Sequence, residues 1–144
     1  MKYATKKQFQ VIINKAINLA LEQGSKCCDN IGYCSYLEKD GRKCIVGQLL
    51  DPNVCSPGLL LGNVNQIATH VEESLGFKLR GDYICVLGKM QVCHDTANEL
   101  VTRNYAHELL VSLTAKFKEK EVVAMGLNLD GIDYELTQPT YKEN

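Results

Sequence analysis

The sequence predicts an α+β domain, about four amphipathic helices with a small antiparallel β-hairpin. Apolar residues recur at spacings of three and four along most of the chain, which is helical periodicity. One segment breaks that rhythm. Residues 33–50, YCSYLEKDGRKCIVGQLL, hold two apolar runs around an Asp40-Gly41 turn. The length of 144 residues, with 45% hydrophobic and 23% charged side chains, suits one core that needs neither metal nor disulfide.

The elements follow in order. A first helix is expected over 6–23. Phe9, Ile12, Ile13, Ala16, Ile17, Ala20 and Leu21 make one stripe. Thr5 with Gln8 forms a capping box, and Gly24 suits the left-handed residue that ends a helix. Residues 25–31 read as loop. Strands are expected over 33–38 and 43–49, because Asp-Gly tolerates the positive φ of a tight turn. Two registers are open. A two-residue loop sets Tyr36 opposite Ile45 and turns Cys44 to the other face. A three-residue loop puts Cys34, Tyr36, Cys44 and Val46 on one face.

Asp51-Pro52-Asn53 and Ser56-Pro57-Gly58 are turn chemistry, so 51–62 is an irregular connection. Asn63 and Gln66 form a second capping pair. They open a helix carrying Val64, Ile67, Ala68, Val71 and Leu75 that ends at Gly76. Asp82 is the expected N-cap of a third helix. It buries Ile84, Leu87, Met90, Val92 or Cys93, and Ala97, with Gly88 as a weak point. Thr102 or Asn104 caps a fourth, with Ala106, Leu109, Leu110, Leu113 and Phe117 inward. Lys116, Lys118 and Lys120 complement its carbonyl end. Helical spacing stops after Glu121. Residues 122–129 and 132–136, around Asp130-Gly131, read as a small hairpin or an extended arm, and the chain is expected to fray from Pro139. The predicted organisation is a single α+β domain over 1–120. A C-terminal arm over 121–144 then pairs with the sheet or with a second chain.

Composition narrows the chemistry. Net charge is −1, without the strong basic excess of a non-specific nucleic-acid binder. Lys2, Lys6, Lys7 and Lys15 with Tyr33, Tyr36 and Tyr83 give a weak case for nucleic acid, and a solvated charged face is the favoured reading. Residues 121–144 carry five acids against Lys142, a net of −4, so the first 120 residues carry +3. No stretch has the continuous apolar run of a signal peptide or membrane helix. Seven cysteines, an odd number and with no export signal, are expected as free thiols in a reducing cytosol. No Cys-x-x-Cys occurs, and adjacent Cys27-Cys28 suits one zinc ion poorly. Cys44 or Cys93 with His94 is the candidate nucleophile pair, but Cys93 and His94 diverge by about 100° on a helix. His94 is expected to be a half-buried helix residue that bonds a backbone carbonyl instead, and His70 and His107 read as surface or rim positions. Gly88-Lys89 is no phosphate loop, because the glycine required five residues earlier is Tyr83.

Cys34-Ser35-Tyr36, then Asp40-Gly41-Arg42-Lys43-Cys44-Ile45-Val46-Gly47, then Leu49-Leu50, resemble a family of small uncharacterised proteins encoded by tailed bacteriophages and prophages. Members carry a Cys-x-Tyr strand, a glycine-containing turn and a Lys-Cys-x-Val-Gly second strand. The preceding amphipathic helix and the later His94-Asp95 step fit as well. The likeness runs over 8–118, and the hairpin motif is its specific part. The chain departs from the pattern at the exit, Leu50-Asp51-Pro52-Asn53, and lacks a tryptophan near the last helix. The resemblance implies a viral accessory protein in the host bacterial cytoplasm, and it implies no activity.

The function expected is therefore non-enzymatic protein binding: steric inhibition of a host bacterial protein, a component of antiviral defence, with no cofactor. Expected contact residues are Tyr36 and Arg42 on the hairpin, and Val123, Met125, Leu127, Leu129, Ile132 and Tyr134 in the arm. A homodimer through the arm is a corollary. Neither membrane nor nucleic acid is an expected partner. The alternative is a metal- or thiol-dependent module, either zinc-binding or a cysteine-based enzyme.

Overall fold

A computed structural model describes residues 1–27, 35–55, 63–97, 105–124 and 127–137. Its first helix, α1, spans Lys6–Gln23. Thr5 Oγ1 accepts from Gln8 N–H at 3.1 Å while Gln8 Oε1 accepts from Thr5 N–H at 2.9 Å. Two of the donors that every helix start leaves open are thus satisfied. Gly24, at φ 69°, closes the other end. Phe9, Ile13, Ala16, Ile17, Ala20 and Leu21 are buried, as the stripe predicts, whereas Ile12 is half-buried.

Helix α2, Val64–Leu75, repeats the pattern with the Asn63–Gln66 box and Gly76 at φ 79°. Helix α3, Gly81–Thr96, starts earlier than an Asp82 cap requires. Arg80 stands at the N-cap without a side-chain bond, and Asp82 sits in the first turn, where a carboxylate favours the positive end of the helix dipole. Its inward face is Tyr83, Val86, Leu87, Met90, Gln91, Cys93 and His94. Of the expected pair, Cys93 is therefore the buried one, and Val92 is 57% exposed. Helix α4, Tyr105–Phe117, buries Ala106, Leu109, Leu110, Leu113 and Phe117. Its expected caps, Thr102 and Asn104, lie outside the described residues. Short helix α5 spans Lys120–Ala124.

The α+β expectation is overturned: among the described residues there are five α-helices and two 3-10 turns, with no strand and no sheet. The hairpin survives as a single antiparallel bridge, Leu37 with Lys43. Glu38 N–H donates to Arg42 O at 2.9 Å, and Cys44 N–H to Tyr36 O at 3.1 Å. This is the three-residue register, with Lys39, Asp40 and Gly41 (φ 94°) in the loop. Cys34 falls outside the described residues. Pairing stops because the second run turns inward. Gln48 N–H reaches back to Cys44 O, and Gly47–Leu49 forms a 3-10 turn. A Cβ on Gly47 would lie 1.9 Å from Tyr36 O, so only glycine lets the two segments come this close. Ile45, Val46 and Leu49 then enter the core. The apolar run that reads as a second strand is a buried coil and a 3-10 turn.

The arm is not a hairpin either. Residues 122–124 belong to α5, and Tyr134–Thr137 is a 3-10 turn. The Asp130-Gly131 turn does form, with Ile132 N–H bonded to Leu129 O at 3.2 Å. Its flanks bind α1 rather than each other.

Helix α1 packs on α4, and α3 packs on both α2 and α4. Phe9 stacks on Tyr83 with ring centroids 4.2 Å apart, joining α1 to α3. A parallel bridge between Tyr3 and Lys78 ties the amino-terminal residues to the α2–α3 connection. No helix among the described residues is long and apolar enough to cross a membrane.

Candidate functional site

The chemistry-bearing side chains gather where residues 26–27 and 35–47 pack on the carboxyl end of α3. His94 is fully buried. Its Nε2 accepts from Cys27 N–H at 3.4 Å, and its Nδ1 meets Tyr105 Oη. An Nε2 that accepts places the ring proton on Nδ1, so Nδ1–H donates to the phenol oxygen. Both nitrogens are occupied in the neutral ring. Burial, with the Lys26 charge, pulls its pKa down to about 4. Lys26 Nζ itself donates to Asp95 O at 3.1 Å.

The thiols are held in the same manner. Cys27 Sγ donates to Arg42 O at 3.1 Å, and Gly47 N–H donates to Cys44 Sγ at 3.1 Å. Burial pushes the Cys27, Cys44 and Cys93 thiols above their ordinary value. A protonated thiol is a poor nucleophile and a poor metal ligand. Val46 N–H donates to Gln91 Oε1 at 3.3 Å, and Gln91 Nε2 donates to Asp95 Oδ1 at 2.9 Å. These bonds fasten the loop to α3. Among the described residues, no cluster of three His, Cys, Asp or Glu could hold a metal.

The outer surface of α1 is arranged differently. Val11 is 63% exposed and stands on the rim of a cleft of about 400 Å³ between α1, the Gly47–Leu49 turn and the end of α2. Ile12, Leu49, Leu50, Leu75 and Phe77 supply apolar walls, and Lys15 and Asp51 place opposite charges at the edge. Lys15 also borders a second, open recess with Asn18, Leu19, Glu22 and Asp133. Helix α1 is thus a ridge between two hollows.

Beyond the second hollow, α1 clasps the arm. Gln10 Nε2 donates to Asn128 O at 2.7 Å, and Asn128 N–H returns a bond to Gln10 Oε1 at 3.1 Å. Asn14 Nδ2 donates to Asp130 O. Asn18 Nδ2 donates to Gly131 O at 3.0 Å, and its Oδ1 accepts from Asp133 N–H at 2.9 Å. Gln10, Asn14 and Asn18 are four residues apart, so they align on one helical face. Their amides serve the arm's backbone as a neighbouring strand would.

The residues expected to touch a partner separate into groups. Tyr36, Leu127 and Ile132 are buried in the chain's own core, and Leu129 is half-buried against it. Burial, with Cys44 and Asp95 nearby, raises the Tyr36 phenol to about 12. Arg42 is half-buried: its Nε meets Asp40 at 2.8 Å and its Nη1 donates to Lys26 O at 3.0 Å. Val123 and Tyr134 are 56% and 54% exposed. Met125 lies outside the described residues. Val11 was missed, although an apolar residue off the α1 stripe was its signal. The Gln10–Asn14–Asn18 series was also legible as amides at helical spacing, but nothing local named the segment it holds. No protein-family model, curated protein or solved structure matches the chain.

Proposed function

We propose that this is a non-enzymatic protein-binding accessory protein that works by steric occupation, and that the α1 ridge is its principal contact. The observation that carries the reading is Val11, an exposed valine on a helix whose inward stripe is already complete, beside an apolar-walled cleft with charges at its rim. Interface cores combine apolar anchors with polar edges in this way. Val123 and Tyr134 of the arm are further exposed anchors. The locked His94 and the raised thiols favour binding over thiol chemistry. On the phage resemblance, the partner is a host bacterial protein, and a component of antiviral defence suits a steric inhibitor.

The test is affinity capture from a bacterial lysate with the native chain beside Val11→Asp and Lys15→Glu variants. One stoichiometric protein retained by the native chain and lost with Val11→Asp is expected. Equal capture by all three removes the ridge from the proposal.

A further inference from the structure

The bridge between Tyr3 and Lys78 does more than fasten the amino-terminal residues. It carries Lys2 and Lys6, from one end of the sequence, to Lys78 and Arg80 in the α2–α3 connection. Ala4 N–H bonds to Lys78 O, and Lys78 N–H to Lys2 O, each at 2.9 Å. Lys6 and Arg80 line one cleft of about 430 Å³, with Tyr83 in its wall. Lys7 follows Lys6 on the same exposed turn. The acids facing this group are Asp82, paired with Arg80 at 3.3 Å, and Glu72, which accepts from Leu79 N–H at 2.7 Å. Five cations against two acids leave a local charge of +3 in a chain whose net charge is −1.

An aromatic ring stands among them. Tyr3 is 59% exposed, and Lys78 Nζ lies 5.8 Å from its ring centre. Arg80 lies likewise over Tyr83, 5.4 Å from the ring centre. Cations beside an open aromatic face suit phosphates strung between stackable bases. We propose that this surface binds single-stranded nucleic acid, the cations tracking phosphates and Tyr3 stacking on a base. The sequence offered Lys2, Lys6 and Lys7 with Tyr83 as a weak case for nucleic acid, but its spacing could not add Lys78 and Arg80, which lie more than seventy residues from those cations.

The test is fluorescence polarisation with labelled oligothymidylate and oligouridylate of about twelve nucleotides. Binding at about 50 mM salt is expected, falling roughly fifty-fold by about 200 mM if four phosphates are neutralised. The Lys78→Glu/Arg80→Glu double variant should weaken it at least about tenfold, and Tyr3→Ala by about five-fold or more. Lys39→Glu, remote from the patch, should leave it unchanged. Circular dichroism confirms that each variant is folded. Polyglutamate and phosphatidylserine vesicles are run as competitors. No binding at low salt, or binding indifferent to the charge reversals, overturns the proposal. So does competition by polyglutamate or vesicles at equal charge together with an inert Tyr3→Ala.

Discussion

At the scale of single residues, His94 has the largest consequence for stability. Its ring is neutral in the fold and titrates near its ordinary value, 6.5, once unfolded. Between about pH 6.5 and 4 the unfolded chain binds the extra proton, so stability rises with pH there. The contribution is fully present above 6.5 and lost as pH falls through 4. A shift of this size corresponds to about 3 kcal/mol. Asp95, whose carboxyl burial pushes upward, opposes it at the low end. Thermal melting from pH 7 to pH 4 should therefore lose stability steadily, and His94→Gln should flatten that slope while lowering the melting temperature at pH 7. An unchanged slope in the variant would mean that the ring is charged in the fold. The sequence placed His94 on a helix, but as a half-buried ring bonded to a backbone carbonyl, whereas it is fully buried and accepts from a backbone N–H. It did not identify the partner as Cys27 N–H, sixty-seven residues away, because that contact depends on tertiary packing.

At the scale of elements, local signals were most legible where they were most local. The capping boxes at Thr5 and Asn63 and the left-handed glycines at 24 and 76 set the bounds of α1 and α2. The segment 33–50 misled for a physical reason. A short apolar run beside a turn does not distinguish a strand from another buried segment, and here Tyr36, Leu37, Cys44, Ile45 and Val46 are all buried. Asp40-Gly41 did signal a turn, whereas the role of Gly47 emerges only from its approach to Tyr36. Gly47→Ala should therefore destabilise by about 3 kcal/mol, the upper range for overpacking. Chemical denaturation would register that loss. A change within experimental error would show that the 36–47 contact can relax. The arm invites a complementary experiment. Gln10→Ala removes two bonds to Asn128 at an exposed site, which should cost about 1 kcal/mol locally. Hydrogen exchange should quicken at Asn128 and its neighbours while the core amides of α4 keep their protection. Slow exchange throughout 127–133 would mean that apolar contacts alone hold the arm.

At the scale of the whole molecule, the helices share one core, and the described thiols sort by their place in it. Cys27, Cys44, Cys55 and Cys93 are buried and Cys85 is exposed. Mass-mapped alkylation of the native chain should find Cys85 modified early and Cys44 only at the rate of global opening. Early modification of Cys44 or Cys93 would restore the case for thiol chemistry. The expectation of free thiols came from their odd number, and the weak case for zinc from the missing Cys-x-x-Cys. Charge was harder to read, since counting along the chain averages away what folding concentrates. The +3 of the first 120 residues is ordinary as a sum and becomes a surface only when Lys78 and Arg80 arrive beside Lys2 and Lys6.

The amides of α1 grip peptide units and are blind to what hangs from them. Outward side chains of the clasped stretch, such as Asp130, are free to drift over generations without loosening it. Its length is not free: one inserted residue would displace every following carbonyl by about 3.4 Å, further than a hydrogen bond can stretch. Evolution can respell the exposed positions of this segment but cannot re-space it.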